Sequence, residues 1–279
     1  RGQTPGPDPL GRAVAKRPRS ADVCALRGVG VVVGARGHRT LARGLIGAIL
    51  PVQCAGCRAW DEVLCPSCRR LAQVEPTPTL IEGARGDIPA LAMGDYAGPL
   101  RRIVLTAKHS ARTDVTDFLA EAGARLGTAL ARVLGVAGSP AGAGGSRQGR
   151  ATPTGGAVDV WVVPAPSSWK RRLRGRQVAM PLACAVARAL AASAQPGVRV
   201  RVVDAVRLRV GASSQSGKAG AQRTVGRMGA MRALAVPPRG VLVVAVDDVV
   251  TTGATIREME RVLGGLAAVV TLCRPGLIS

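Results

Sequence analysis

Aromatic residues and histidines are scarce in this sequence. Of its 279 residues only 2% are aromatic, with one Tyr, one Phe and three Trp, and there are two histidines. Flat side chains on which nucleic-acid bases could stack are therefore few. A lone histidine at a helix end, such as His109, is more often solvated than catalytic, so no general base stands out. The hydrophobic content of 47% is still enough for a large core, built from Val, Leu, Ala and Ile.

Long hydrophobic runs are also absent from the sequence. No stretch approaches the roughly 18 uninterrupted apolar residues of a membrane-spanning helix, and the first stretch lacks the apolar core of a signal peptide. The seven cysteines are odd in number, and four of them form one tight cluster. This pattern differs from the disulfide framework of a secreted protein. We therefore predict no transmembrane segment and a reducing, cytoplasmic setting.

Acidic residues are few compared with basic ones. The chain has 17 Asp and Glu against 39 Lys and Arg, a formal net charge of +22. Such an excess favours a polyanionic partner such as nucleic acid, or phosphate groups. The basic residues are nearly all Arg, in a sequence also rich in Ala, Gly and Val, and a GC-biased coding sequence produces the same composition. Charge alone leaves both explanations open.

The N-terminal part of the chain is expected to hold little regular structure. Residues 1–40 are rich in Arg, Gly and Pro and have few periodic apolar positions, so we predict a disordered extension. A short apolar helix at 41–50 then leads into the cysteine cluster, and together they form a small module at 41–75. Residues 71–90 are punctuated by prolines and are expected to be a connection.

Residues 90–279 are predicted to form the main domain. Nearly continuous apolar runs at 158–166 and 241–246 are typical of strands buried on both faces, and further strands are predicted at 198–203 and 267–274. Ala- and Leu-rich helices are predicted at 118–136 and about 178–192. A Gly/Ala/Ser-rich flexible insertion is expected at 137–157. The alternation predicts an α/β fold with an open, mostly parallel sheet and helices on both faces.

The segment Val241 to Thr255, VLVVAVDDVVTTGAT, carries the clearest chemical signal. A buried strand ends at two adjacent carboxylates, Asp247 and Asp248, and a loop of small residues then opens a helix. Ligands of open α/β sheets lie beyond the carboxyl ends of the strands. Free N–H groups at a helix N-terminus favour a phosphate. The candidate phosphate-binding residues are Val249, Val250, Thr251, Thr252, Gly253, Ala254 and Thr255. The same residue types also suit an ordinary helix N-cap.

The two neighbouring carboxylates would repel each other unless a cation or hydroxyl groups lay between them. A sugar diol with Mg²⁺ would supply both. We therefore expect Asp247 and Asp248 to be the central residues of a site for a phosphorylated ribose.

Four cysteines have the spacing of a metal site. Cys54, Cys57, Cys65 and Cys68 form C-x2-C-x7-C-x2-C, in which each Cys-x-x-Cys pair can clasp one side of a tetrahedral Zn²⁺. Four thiolates leave no open coordination position, so the predicted zinc is structural. Free thiols are the alternative.

Several of these segments resemble a known family. Asp247 to Thr255 is similar to the phosphoribosyl-pyrophosphate (PRPP) signature of type I phosphoribosyltransferases. YAGPLRRIVLTAKHSARTD, VVPAPSSWKRRLRGRQ and the stretch from Gln215 to Arg223 resemble other segments of the ComF family of competence-associated, phosphoribosyltransferase-like proteins, and the cysteine cluster precedes the domain as it does there. The resemblance covers about residues 50–275.

The resemblance implies a fold, an activity and a set of roles. The fold would be that of the type I phosphoribosyltransferases, preceded by a small zinc-binding module. Asp247 and Asp248 would bind the ribose hydroxyls directly or through Mg²⁺-bound water, and the loop that follows would hold the 5′-phosphate. The pyrophosphate side would comprise Lys108, Ser167, Arg171, Arg172, Arg174 and Arg176. A solvated charge run is the other explanation for these arginines.

Three functions are compatible with this sequence. The first is a phosphoribosyltransferase that displaces pyrophosphate from PRPP with a nitrogen acceptor and is linked to DNA uptake. The second is a module that binds single-stranded DNA and acts with a helicase-like or recombination partner in competence. The third is a non-catalytic relative that binds PRPP as a regulator. No segment identifies the acceptor.

Overall fold

The computed structural model describes residues 52–110, 115–138, 157–167, 177–209 and 229–275. The predicted extension at 1–40, the helix at 41–50, nearly all of the insertion, and the predicted site residues Arg171, Arg172, Arg174 and Arg176 lie outside these ranges.

Eight strands and five α-helices make up the described part of the chain. The strands are β1 (Thr77–Glu82), β2 (Asp87–Asp95), β3 (Val158–Pro164), β4 (Val198–Val202), β5 (Val206–Leu208), β6 (Met231–Ala233), β7 (Leu242–Val249) and β8 (Ala268–Arg274). The helices are α1 (Pro66–Arg69), α2 (Gly98–His109), α3 (Thr116–Val133), α4 (Ala179–Ser193) and α5 (Ala254–Leu263), and a 3-10 turn at Arg70–Ala72 follows α1.

Six strands form one sheet, in the order β1-β2-β8-β7-β3-β4. All neighbouring pairs from β2 to β4 are parallel, and β1 is antiparallel to β2 at one edge. A parallel strand must be followed by a crossover before the next one begins, and helices fill this role here. The predicted α/β class and mostly parallel sheet are confirmed.

The sheet separates two hydrophobic clusters. Val244 and Val246 of β7 belong to the cluster that includes α2, α3 and α4. Val243 and Ala245 belong to the cluster that includes α5 and the small β5–β6 ribbon. Because successive side chains of a strand point to opposite faces, a strand covered on both sides is apolar throughout. Helices therefore lie on both faces, and every position of β7 before the acid pair is apolar.

Helices α3 and α4 pack closely because glycines line their contact. A Cβ at Gly127 would lie 2.4 Å from the carbonyl oxygen of Val186, and one at Gly123 would lie 2.5 Å from the Cβ of Ala185. Neither distance is compatible with a side chain. These glycines let the two helices approach until their backbones are nearly in contact.

The direction of the crossovers changes between β3 and β7. After β3 the chain passes to β4, further toward one edge of the sheet, whereas after β7 it passes to β8 on the opposite side. Where crossovers change direction in this way, the loops that follow the two strands generally run to opposite sides and leave a crevice at the carboxyl ends of the strands. The acid pair lies at this topological switch point.

Two pairs of strands differ from the sequence-based expectation. Residues 71–90 were expected to be a connection, but they contain β1 and the start of β2, which pair over the full length of β1. The β5–β6 ribbon joins residues far apart in sequence. In β1 the residues alternate between exposed and half-buried, so an edge strand with prolines lacked the apolar pattern that signals a strand.

Within the described ranges, no helix is both long enough and apolar enough to cross a bilayer.

Candidate functional site

The predicted acid pair lies at the C-terminal end of β7. Asp247 is 8% exposed and is paired in register with Thr271 of β8. The amide N–H of Asp248 donates to an Asp247 carboxylate oxygen at 2.8 Å, and the amide N–H of Val249 donates to Asp248 at 3.0 Å. One backbone N–H group thus fixes each of the two carboxylates at the C-terminal end of β7.

Lys108 reaches this acid pair from α2. Its Nζ atom lies 2.5 Å from an Asp248 carboxylate oxygen, and the two side chains are only 18% and 13% exposed. The resemblance placed Lys108 on the pyrophosphate side, whereas the structure places it against Asp248, on the expected ribose side. A lysine in the last turn of a helix is also favoured by the helix dipole.

Burial and charge make Asp247 hard to ionise. Its pKa is raised well above the ordinary value, first by desolvation and then by the adjacent Asp248 carboxylate, and the more distant Lys108 opposes this only in part. A buried carboxylate beside a second one is destabilised in its ionised form. The pair is therefore poised to accept hydroxyl donors or a cation that would relieve the repulsion.

The loop after the acid pair turns into α5 through a glycine. Gly253 has φ 68°, in the left-handed region, and is the residue immediately before the helix. A side chain would be strained in this conformation. A Cβ at Gly253 would in addition lie 3.1 Å from a guanidinium nitrogen of Arg257. Thr251 and Thr252 of the loop are exposed, and the N-terminus of α5 opens at the same end of the sheet.

Arg257 holds this loop and was not predicted from the sequence. It donates to the carbonyl oxygen of Thr252 at 2.8 Å and lies 3.8 Å from the carboxylate of Glu82 on β1. Its position four residues after Gly253, on one helix face, is the sequence signal that could have indicated the contact. The edge strand β1, also missed, is the element that brings Glu82 there.

A groove of about 350 Å³ lies beside the loop, between it and β1. Its walls include Thr251, Thr252 and Gly253 from the loop, the basic residues Arg257 and Arg274, and Glu82 of β1. Arg274 also pairs with Asp95 at 3.3 Å. The groove therefore brings cationic side chains to the same loop that the sequence assigns to a phosphate.

Ser167 follows β3 on the other side of the crevice. Its hydroxyl oxygen is buried, and among the described residues it has no hydrogen-bond partner. Buried hydroxyl groups are normally paired, so an unpaired one beside a crevice is a candidate ligand contact. The four predicted arginines that follow Ser167 in the chain lie outside the described residues.

The four predicted zinc ligands come together. The sulfur atoms of Cys54, Cys57, Cys65 and Cys68 all lie within 4.8 Å of one another, and those of Cys57 and Cys65 are 3.5 Å apart. Tetrahedral Zn²⁺ with Zn–S bonds of about 2.3 Å requires sulfurs roughly 3.8 Å apart. The cluster could therefore hold a metal ion such as zinc, as predicted.

Local contacts shift the pKa values of Cys54 and Cys68 in opposite directions. Burial raises the pKa of Cys54, but N–H groups of Cys65, Cys57 and Gly56 outweigh it and lower the value to about 6. The amides of Gly56 and Cys65 both lie 3.4 Å from the Cys54 sulfur. Burial and the neighbouring sulfurs raise the pKa of Cys68. A cation bound to all four sulfurs would remove that repulsion.

The cysteine cluster is joined to the acid pair by one helix. A Cβ at Gly56 would lie 2.5 Å from the Cys68 sulfur and 3.3 Å from Ile103 of α2. Arg102, also on α2, donates to the carbonyl oxygen of Gly56. Lys108 lies six residues further along α2, roughly 9 Å away along the helix axis. The cysteine cluster thus supports the helix that positions Lys108.

Comparison with known proteins gives no further assignment. No protein-family model matches the chain, and a search of curated proteins found no match either.

Proposed function

We propose that this protein is a ComF-type, phosphoribosyltransferase-like protein that binds PRPP with Mg²⁺ and transfers its phosphoribosyl group to a nitrogen acceptor. One observation carries the proposal. The acid pair Asp247 and Asp248 lies at the topological switch point of a mostly parallel sheet, and a loop of four residues leads from it to a left-handed glycine and the N-terminus of α5. Diol and phosphate contacts are thereby available at adjacent positions.

Each end of the ligand has its own set of contacts. The carboxylates of Asp247 and Asp248 would accept hydrogen bonds from the 2′- and 3′-hydroxyls of the ribose. The loop from Thr251 to Thr255 would hold the 5′-phosphate through hydroxyls and amide N–H groups. The Ser167 hydroxyl, which has no hydrogen-bond partner among the described residues, would donate to the pyrophosphate. The orientation follows from the positions of β7 and β3 at the two sides of the crevice.

The reaction would replace one bond at the ribose C1 atom by another. The bond from C1 to pyrophosphate breaks, a bond from C1 to the acceptor nitrogen forms, and the acceptor loses one proton. Positive charge develops on the sugar ring in such a step, and carboxylates near the ring stabilise it. Cations on the pyrophosphate side stabilise the leaving group.

The residues present suit Mg²⁺. It prefers oxygen ligands and is usually bound by one or two carboxylates together with waters and substrate phosphates. Asp247 and Asp248 offer such oxygens at the C-terminal end of β7, where burial and the neighbouring Asp248 carboxylate raise the pKa of Asp247. When bound, Mg²⁺ would neutralise charge on the carboxylates and the pyrophosphate.

The proposed activity is tested by phosphorus NMR. PRPP, Mg²⁺ and a mixture of nucleobases are incubated with the protein, and the pyrophosphate signal is followed. We expect this signal to grow with the wild type and to be absent with the Asp247→Asn, Asp248→Asn double variant. Asp159→Asn is the matched control, because Asp159 pairs with Arg199 near the edge of the sheet, away from the acid pair.

The other outcomes separate the remaining functions. Broadened PRPP signals without turnover would indicate a binding or regulatory protein. Spectra that do not change at all would reject PRPP as the ligand and would favour the single-stranded DNA module, with a helicase-like or recombination partner. For that module, DNA binding should depend on salt and persist in the Asp247→Asn, Asp248→Asn variant.

A further inference from the structure

Lys108 is already bound where a metal ion would be expected to act. Its ammonium group contacts the Asp248 carboxylate at 2.5 Å, and both side chains are largely shielded from water. Asp248 also accepts the Val249 amide N–H at 3.0 Å. One carboxylate of the acid pair is thus neutralised by a residue of the protein itself.

We propose that Lys108 is a built-in counterion that keeps free divalent cations out of the acid pair. In the free protein a metal ion would have to displace an ammonium group from Asp248. The metal ion then enters together with a phosphorylated ligand. The negative charge of that ligand pairs with the Lys108 ammonium group, which leaves Asp248 free to bind the metal ion. The inference rests on the proposed ribose-binding role of the acid pair and adds an order of binding to it.

The position of Lys108 on its helix supports this role. Lys108 lies in the last turn of α2, and Arg102 on the same helix is bonded to the cysteine cluster, so the ammonium group is delivered from a supported element. Among the residues that the structure describes, Arg257 and Arg274 have partners other than the acid pair. Arg274 pairs with Asp95 at 3.3 Å, and Arg257 is bonded to the Thr252 carbonyl oxygen at 2.8 Å.

The charge balance predicts the effect of removing Lys108. With the ammonium group present, a divalent cation approaching Asp248 meets a like charge within a few ångströms in a poorly hydrated site. Loss of that charge should raise the affinity for a divalent cation by a factor on the order of 10 to 100. A purely structural lysine would show no such gain, since its removal could only loosen the site.

Binding of Mn²⁺ alone tests the proposal, without PRPP. The zinc-loaded full chain is titrated with Mn²⁺, and free Mn²⁺ is measured by electron paramagnetic resonance. We expect only weak binding to the wild type and to Lys108→Arg, which keeps the cation. Lys108→Met should gain a saturable site, and adding Asp248→Asn to Lys108→Met should abolish it.

Two results would overturn the proposal. One is tight, saturable binding of Mn²⁺ to the wild type that is lost in Asp248→Asn, a result that does not depend on the folding of Lys108→Met. The other is a folded Lys108→Met variant, verified by circular dichroism, with no gain in affinity. The Mn²⁺ titration contains no PRPP, so its result can support or reject the role of Lys108 whether or not PRPP turnover is seen by NMR. The two proposals can therefore fail separately.

Discussion

Replacing Asp247 by Asn is expected to stabilise the protein while removing its proposed activity. Asp247 is 8% exposed, and desolvation and Asp248 both raise its pKa. Asn has nearly the same shape and is neutral. Its side-chain oxygen can still accept the Asp248 N–H bond, which is 2.8 Å long in the wild type. The substitution therefore removes an unfavourable buried charge and keeps the local geometry.

Two opposing effects set the size of the gain. Burying an ion with incomplete compensation costs several kcal/mol. Against this, a hydrogen bond to a charged acceptor is worth about 1 kcal/mol more than one to a neutral acceptor, and the attraction of Lys108 to Asp247 is also lost. A net gain of about 1–2 kcal/mol is typical when strain at a functional site is relieved. For a domain of this size it corresponds to a rise in Tm of about 2–8 °C.

The gain should depend on pH with a definite sign. The pKa of Asp247 is higher in the folded state than in the unfolded state, so Asp247 favours folding below its unfolded pKa and loses this contribution as the pH rises through its folded pKa. Asn does not titrate. The difference in free energy of unfolding between variant and wild type should therefore be small at acidic pH and largest at alkaline pH.

Denaturant unfolding at pH 5 and pH 8.5, without ligand and with zinc, measures this difference. Asp159→Asn is the control: its side chain is 28% exposed and paired with Arg199, so it should lose no more than about 1 kcal/mol at either pH. A less stable Asp247→Asn protein at pH 8.5, or an equal gain at both values, would refute the account of Asp247 as a strained buried acid.

Three further predictions concern the cysteines, the α3–α4 helix pair and the buried carboxylate of Glu258 on α5. Cys57→Ser should lower zinc content and Tm, while Cys184→Ser, outside the cluster, should leave zinc unchanged; metal analysis and thermal unfolding check both. Gly127→Ala should destabilise the α3–α4 contact by about 1–3 kcal/mol in chemical denaturation, because its Cβ has no room. Glu258→Gln should cost about 1.5–3 kcal/mol, since Glu258 is 3% exposed and bonded to Arg261 at 2.8 Å. The pKa of Glu258 is lowered chiefly by Arg261, so this cost should be full at neutral pH and shrink as the pH falls through the folded pKa; a pH-independent cost would contradict it.

The parts of the fold that the sequence predicted correctly are those with continuous patterns. β3, β7 and β8 are nearly unbroken apolar runs, and α3 and α4 are rich in Ala and Leu, so local composition was enough to identify them. β7 continues three residues beyond the predicted end at Val246, so the acid pair is part of the strand. The hairpin of β1 and β2 was missed because much of β1 faces solvent, so its sequence has no clear apolar pattern. Pairing with β2 is what makes this segment a strand.

The candidate site divides in the same way. Asp247, Asp248 and the loop to Thr255 are contiguous, so their chemistry is visible in one short segment, and the four cysteines have a spacing that implies a shared metal. By contrast, Lys108 is far from Asp248 in sequence. Its assignment to the anion side came from a resemblance and could not reveal which acid it pairs with.

The sequence by itself determined the α/β class, the position of the acid pair after a buried strand and the grouping of the four cysteines. These features follow from the periodicity and spacing of residues within short segments, which can be read directly from the sequence. Only the tertiary structure decided that the pair lies at a switch point between β3 and β7, that Arg257 ties the loop to β1, and that Lys108 neutralises Asp248. Those relations join distant segments, and they are set by strand order and helix packing, which no short stretch of sequence encodes.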